Sequence, residues 1–141
     1  MALSITDLAE QLQEKTAWQH TPVDLSYEDY VGFIKYGIRK LFIDTGRASS
    51  YNTSFIVDDE KTGELLYEGS FYVDEEEYIL LLAQIAFFQK VSADVNNIVG
   101  YTTNALSVTN ADKPYANLKD TIDKLENERR ITFYKMVRFV I

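Results

Sequence analysis

Apolar residues recur at steps of three and four along most of the chain, a spacing that places them on one face of an α-helix. The clearest case is residues 26–45, whose apolar stripe consists of Tyr30, Phe33, Ile34, Ile38, Leu41 and Phe42. The same spacing predicts a shorter helix at residues 4–18 and a last helix at residues 113–134, where Pro114 suits the first turn. Residues 74–99 are apolar on more than one face, which is typical of the central helix of a bundle.

Local signals mark where these helices begin and end. A serine or aspartate followed three residues later by an acidic residue favours a helix start, and the pairs are Ser4 with Asp7, Ser26 with Asp29, and Asp74 with Glu77. Gly46 is well placed to cap the end of the second helix. Gly32 and Gly37 lie inside that helix, where glycine is unfavourable, so we expect each to permit close packing against a neighbour.

The pattern changes to that of extended chain between the second and third helices. Residues 53–58 and 64–73 are rich in aromatic and β-branched residues, and a turn that ends in Gly63 separates them. The sequence therefore predicts a β-hairpin over residues 53–73, with Gly69 marking a bulge or bend. Because an isolated two-stranded hairpin is marginal in water, it needs a helix or another chain beneath it.

Residues 135–141 form an apolar tail after the last helix, and their pattern suits a continuing helix and a strand equally well. Exposing several large apolar side chains is costly, so the tail either folds back on its own bundle, for instance as a strand added to the hairpin, or docks on a partner. We expect docking from Met136 onward, with Arg138 meeting acidic groups of the partner.

No repeat, low-complexity tract or linker divides the chain, so we predict a single domain over residues 1–141. The expected fold class is mainly α. It is a four-helix bundle-like domain with a β-hairpin between the second and third helices and an apolar C-terminal tail.

Composition and motifs exclude several classes of function. The chain carries 22 acidic and 14 basic residues, a formal net charge of −8, which argues against a nucleic-acid-binding surface. Cysteine is absent, which excludes disulfides, thiolate metal sites and cysteine nucleophiles. The one histidine, His20, lies in an apparent loop without a recognisable partner pattern, and the acids at residues 74–77 suit a helix start. We therefore predict no catalytic residue, metal site or cofactor, and no enzymatic activity.

The sequence also carries no targeting signal and no run of about 20 apolar residues that would span a bilayer. A soluble protein made inside the cell, with no membrane partner, is the expectation.

The layout of the chain resembles the head–tail connector proteins, also called adaptor or neck proteins, of tailed bacteriophages. Four features carry the resemblance. They are the segment 27–30 that opens the second helix, the central apolar helix around 78–88, the polar loop 101–112, and the helix 117–130 that runs on into residues 131–136.

The resemblance implies a structural virion protein made in the host cytoplasm and located in the neck between capsid and tail. It implies assembly into a ring, with a dodecamer as the expected size, that joins the portal protein to the next neck or tail protein. DNA would pass through this ring without specific binding, and no catalytic residue or cofactor is implied.

Partner contacts are expected at two places because tyrosine and apolar residues are concentrated there. In the C-terminal region the candidates are Phe133, Tyr134, Met136, Arg138, Phe139 and Ile141, and in the hairpin they are Phe55, Tyr67 and Tyr72. Two other interpretations stay open. One is a different ring-forming virion protein, such as a tail terminator or head-completion protein, and the other is a non-viral cytosolic binding module.

Overall fold

The computed structural model describes the backbone of residues 2–19, 21, 24–102 and 118–140, and the side chains of these residues except 95–102 and 138–140. The predicted mainly α fold is confirmed. The helices are α1 (Ile5–Thr16), α2 (Tyr27–Asp44), α3 (Val73–Thr102) and α4 (Leu118–Val140). The strands are β1 (Leu3–Ser4), β2 (Ile56–Asp58) and β3 (Leu65–Tyr67), and short 3₁₀ turns occupy Ala48–Ser50 and Thr53–Phe55.

The caps of α2 explain why this helix is the clearest in the sequence. Ser26 and Asp29 form a capping box, in which the Asp29 N–H donates to Ser26 Oγ and the Ser26 N–H donates to Asp29 Oδ2. At the other end Gly46 has φ of 74°, and the N–H groups of Gly46 and Arg47 donate to the carbonyls of Ile43 and Phe42. This is a Schellman motif, so the predicted glycine cap is confirmed.

The start of α3 differs from the predicted pairing of Asp74 with Glu77. The helix begins at Val73, and the Tyr72 N–H donates to Glu75 Oε1 at 2.9 Å. Glu75 is buried, and its other carboxylate oxygen accepts from Arg47 at 2.8 Å. One side chain therefore caps α3 and ties it to the end of α2.

The predicted hairpin forms, but its strands are short and a third strand joins them. β3 lies between β1 and β2, and both pairings are antiparallel, with Leu3 opposite Tyr67 and Val57 opposite Leu66. The chain turns away after Tyr67 through Gly69. The φ of Gly69 is 143°, and glycine suits this position because the conformation is accessible mainly to glycine. The support that a hairpin needs is thus supplied by the N-terminus of the same chain.

The central position predicted for the third helix is confirmed. α3 packs against α1, α2 and α4, and ten of its described apolar side chains are buried around its circumference: Tyr78, Ile79, Leu80, Leu81, Leu82, Ala83, Ile85, Phe87, Phe88 and Val91. A helix covered on all sides needs apolar residues on all sides, which is why no single stripe is visible there.

Gly37 provides a direct test of the packing between α2 and α3. A Cβ atom at Gly37 would lie 2.7 Å from the backbone carbonyl oxygen of Ile79, whereas a Cβ at Gly32 would meet nothing within 4 Å. The expected close approach is therefore confirmed at Gly37 and wrong at Gly32.

We expect Gly37→Ala to lower the free energy of unfolding by about 1–3 kcal/mol, because the helices must separate to make room. Gly32→Ala is the matched control in the same helix, and it should raise stability by up to about 1 kcal/mol through helix propensity. Urea denaturation followed by circular dichroism measures both. Equal effects of the two substitutions would contradict the close approach.

Candidate interaction surface

The predicted C-terminal tail is part of a helix. Residues 135–140 continue α4 without a break, so a tail strand added to the hairpin is wrong. Met136 is only 5% exposed and packs in the main core, which means that the predicted docking of Met136 on a partner is also wrong. Phe133 is partly buried, with its ring 6.0 Å from that of Tyr78. The side chains of Arg138, Phe139 and Ile141 lie outside the described residues.

The opposite side of the same helical segment is exposed and partly apolar. Tyr134 is 71% exposed and Ile131 is 49% exposed, and Arg130 and Lys135 beside them are exposed as well. Arg130 with Tyr134 and Ile131 with Lys135 are each four residues apart, so the four side chains share one side of the helix. We call these four residues the outer face of α4.

The charge of this region is opposite to that of the whole chain. No acidic residue follows Glu128, while Arg129, Arg130, Lys135 and Arg138 do. The outer face therefore combines large apolar side chains with cations on a protein of net charge −8.

The predicted contact set includes Tyr134 but omits Arg130 and Ile131. Continuing the stripe of Leu118, Ile122 and Leu125 at the helical period places residue 136 inside and residues 131 and 134 outside. For residues 131 and 134 that signal is present within the predicted helix 113–134, and for residue 136 it requires that the helix continue past residue 134.

The three predicted hairpin residues are in different environments. Tyr67 is 1% exposed and lies at the centre of an aromatic cluster, so it is a core residue and its prediction as a partner contact is wrong. Phe55 is 40% exposed, with its ring 5.9 Å from that of Tyr67. Tyr72 is 76% exposed at the start of α3.

A polar cluster joins α2, α3 and α4. The Tyr78 hydroxyl donates to Asp44 Oδ2 at 2.6 Å and accepts from the guanidinium of Arg129 at 3.1 Å. Arg129 also donates to Glu126 at 2.9 Å, and Lys40 pairs with Asp44 at 3.0 Å. The four charged side chains, Lys40, Asp44, Glu126 and Arg129, line a groove of about 310 Å³. Because its charged groups are paired with one another, the cluster is suited to fastening helices together rather than to acid–base chemistry.

Tyr78 gives the cluster a measurable pH dependence. Burial, followed by the hydrogen bond to Asp44, raises the pKa of Tyr78 to about 12 from its ordinary value of 10.0. As the pH rises, the unfolded chain therefore loses this proton first. The stabilisation is fully present below about pH 10 and is lost as the pH rises through about 12.

We expect wild-type stability to fall more steeply above pH 10 than that of Tyr78→Phe, which lacks the titrating group. At neutral pH the substitution should cost about 1–3 kcal/mol, because Asp44 and Arg129 lose a buried partner. Thermal unfolding from pH 7 to pH 12 measures both effects, and parallel curves for the two proteins would contradict the assignment.

A second groove lies between α1 and the start of α3, and we call it the α1–α3 groove. It has a volume of about 490 Å³. The residues that line it are Ala2, Ser4, Asp7, Leu8, Gln11, Lys15, Val73, Glu76, Glu77 and Leu80. Three carboxylates against a single lysine make this lining net acidic, while Leu8, Leu80 and the 77% exposed Val73 make it partly apolar.

Among the described side chains, His, Cys, Asp and Glu do not gather in groups of three or more that would hold a metal ion. In the same part of the chain, no helix has the length and apolar character that a bilayer crossing requires. His20 lies outside the described residues.

Comparison of the chain with protein-family models, curated proteins and solved structures finds no match. The resemblance to phage connectors therefore stays a prediction.

Proposed function

We propose that this chain is a structural protein of the bacteriophage neck, a head–tail connector that assembles into a ring between the portal protein and the next neck or tail protein. The observation that carries the proposal is the outer face of α4. A helix that contributes Met136 to the core on one side presents Ile131 and Tyr134 to solvent on the other. Exposed tyrosine and arginine are enriched where proteins bind proteins.

The rest of the molecule supports an assembly role. The paired charges of the Tyr78 cluster hold α4 against the bundle, so the outer face is presented on a fixed scaffold, which lowers the entropic cost of docking. The net charge of −8 suits a channel wall, because like charge keeps the DNA backbone from adhering.

Two genetic observations test the proposal. The gene of a connector is expected a few positions after those of the portal, the protease and the major capsid protein. Deleting it should give lysates in which heads and tails accumulate without joining, as seen by electron microscopy, and the wild-type gene supplied in trans should restore tailed virions. Normal tailed virions from the deletion mutant would overturn the proposal.

A further inference from the structure

The outer face of α4 and the α1–α3 groove have complementary chemistry. The outer face carries two apolar anchors, Ile131 and Tyr134, next to two cations, Arg130 and Lys135. The groove carries apolar side chains next to carboxylates. An amphipathic helix that places spaced anchors in such a groove is a recurrent mode of protein recognition.

The carboxylates of the groove are positioned along its edges by two helices. Asp7 comes from the first turn of α1, and Glu76 and Glu77 come from the first turns of α3. Glu77 is exposed and Glu76 is half-buried, so both are accessible from solvent. Leu8 and Leu80, both buried, form the apolar floor between them.

The groove is separate from the region where α4 packs on its own chain. Leu80 lines the α1–α3 groove, whereas Leu82 lines the groove that α4 borders. Side chains two residues apart on an α-helix point in directions that differ by about 200°, which is nearly opposite. The two grooves therefore lie on opposite sides of α3, and α4 of the same chain leaves the α1–α3 groove open.

We propose that the outer face of α4 docks in the α1–α3 groove of a second copy of this chain. This contact presupposes the proposed ring-forming function and is the contact that joins neighbouring subunits of the ring. Ile131 and Tyr134 contact the floor formed by Leu8 and Leu80. Arg130 and Lys135 meet the carboxylates of Asp7, Glu76 and Glu77. Because the donating and accepting surfaces differ, each copy binds one neighbour with each surface, and such heterologous contacts close into a ring or extend as a filament.

Charge reversal on the two surfaces provides the test. Sedimentation velocity over a concentration series compares the wild-type chain with R130E/K135E, altered on the outer face, and E76K/E77K, altered in the groove. We expect the wild type to associate, and to do so less at high salt. Each variant alone should associate more weakly by more than about tenfold, because like charges then face each other.

The decisive samples combine the two changes. In an equimolar mixture, each variant offers a surface that complements the other, so association should return. A single chain that carries all four substitutions should also associate with itself. Helical circular dichroism checks that each variant folds. If a charge variant does not fold, Tyr134→Ala and Val73→Ala replace it, both at exposed positions, with Ile43→Ala on α2 as the control expected to associate normally.

Three results would overturn the proposed contact. The first is a monomeric wild type, and the second is variants that associate like the wild type. The third is that association returns neither in the mixture of the two charge variants nor in the chain that carries all four substitutions. A wild type that stays monomeric alone but binds the portal protein refutes this contact and leaves the neck function intact. Restored association together with normal virions from the deletion mutant supports this contact and refutes the neck function.

Discussion

Tyr67→Ala is expected to lower the free energy of unfolding by about 3–5 kcal/mol, the range found for deleting a large aromatic side chain from a core. The side chain is 1% exposed. The rings of Phe42, Tyr51, Phe55 and Phe71 all lie within 6.0 Å of it. Its removal opens a cavity that β3 and α2 share, and urea denaturation measures the loss.

Tyr72→Ala is the matched control, since it is also a tyrosine predicted as a partner contact. With 76% of Tyr72 exposed, the change should stay within about 0.5 kcal/mol. Similar small losses for both variants would contradict the placement of Tyr67 in the core.

The second large effect separates the two sides of α4. Met136→Ala should lower the free energy of unfolding by about 2–5 kcal/mol, because Met136 is a buried member of the main core. Tyr134→Ala, two residues away and 71% exposed, should leave the unfolding curve unchanged within about 0.5 kcal/mol. The same Tyr134 variant should lose self-association in sedimentation experiments.

Two outcomes would contradict this division of α4. One is a Met136→Ala protein as stable as the wild type, which would remove Met136 from the core. The other is a Tyr134→Ala protein that unfolds in less urea, which would show that the outer face contributes to the fold rather than to docking.

Local signals in the sequence were sufficient for the bounds of α2 and for the central position of α3. Ser26 with Asp29 specifies the start of α2, and Gly46 specifies its end, because each satisfies backbone groups within a few residues of itself. The all-round apolar character of residues 78–88 likewise predicts the central position of α3. These features depend on neighbours along the chain, which a sequence displays directly.

Contacts between segments that are distant in sequence could not be predicted from local patterns. β1 is two residues long and pairs with β3 across more than 60 residues of chain, so no local pattern indicates it. That pairing helps to bury Tyr67, whose sequence neighbourhood looks like an exposed strand. Similarly, the pattern of residues 135–141 suits either a helix or a strand until the packing of Met136 against the core is known.

For the outer face of α4, the sequence predicted the C-terminal region and one of the four residues, Tyr134. Arg130, Ile131 and Tyr134 all lie within the predicted helix 113–134, so their shared side could be derived from the helical period, whereas Lys135 joins them only because α4 continues past residue 134. The α1–α3 groove has no sequence signature, because Asp7 and Glu76 come together through packing rather than through a spacing.

Under the proposed neck function the gene of this chain belongs to a tailed phage, and quantitative mass spectrometry of purified virions of that phage tests the proposal most directly. We expect the chain to be a stoichiometric virion component, present in a fixed ratio to the portal protein that fits one ring per particle. Virions complemented with Tyr134→Asp should be rare or lack the chain. Infectious tailed virions without this protein, while it is abundant in the infected cell, would contradict the account.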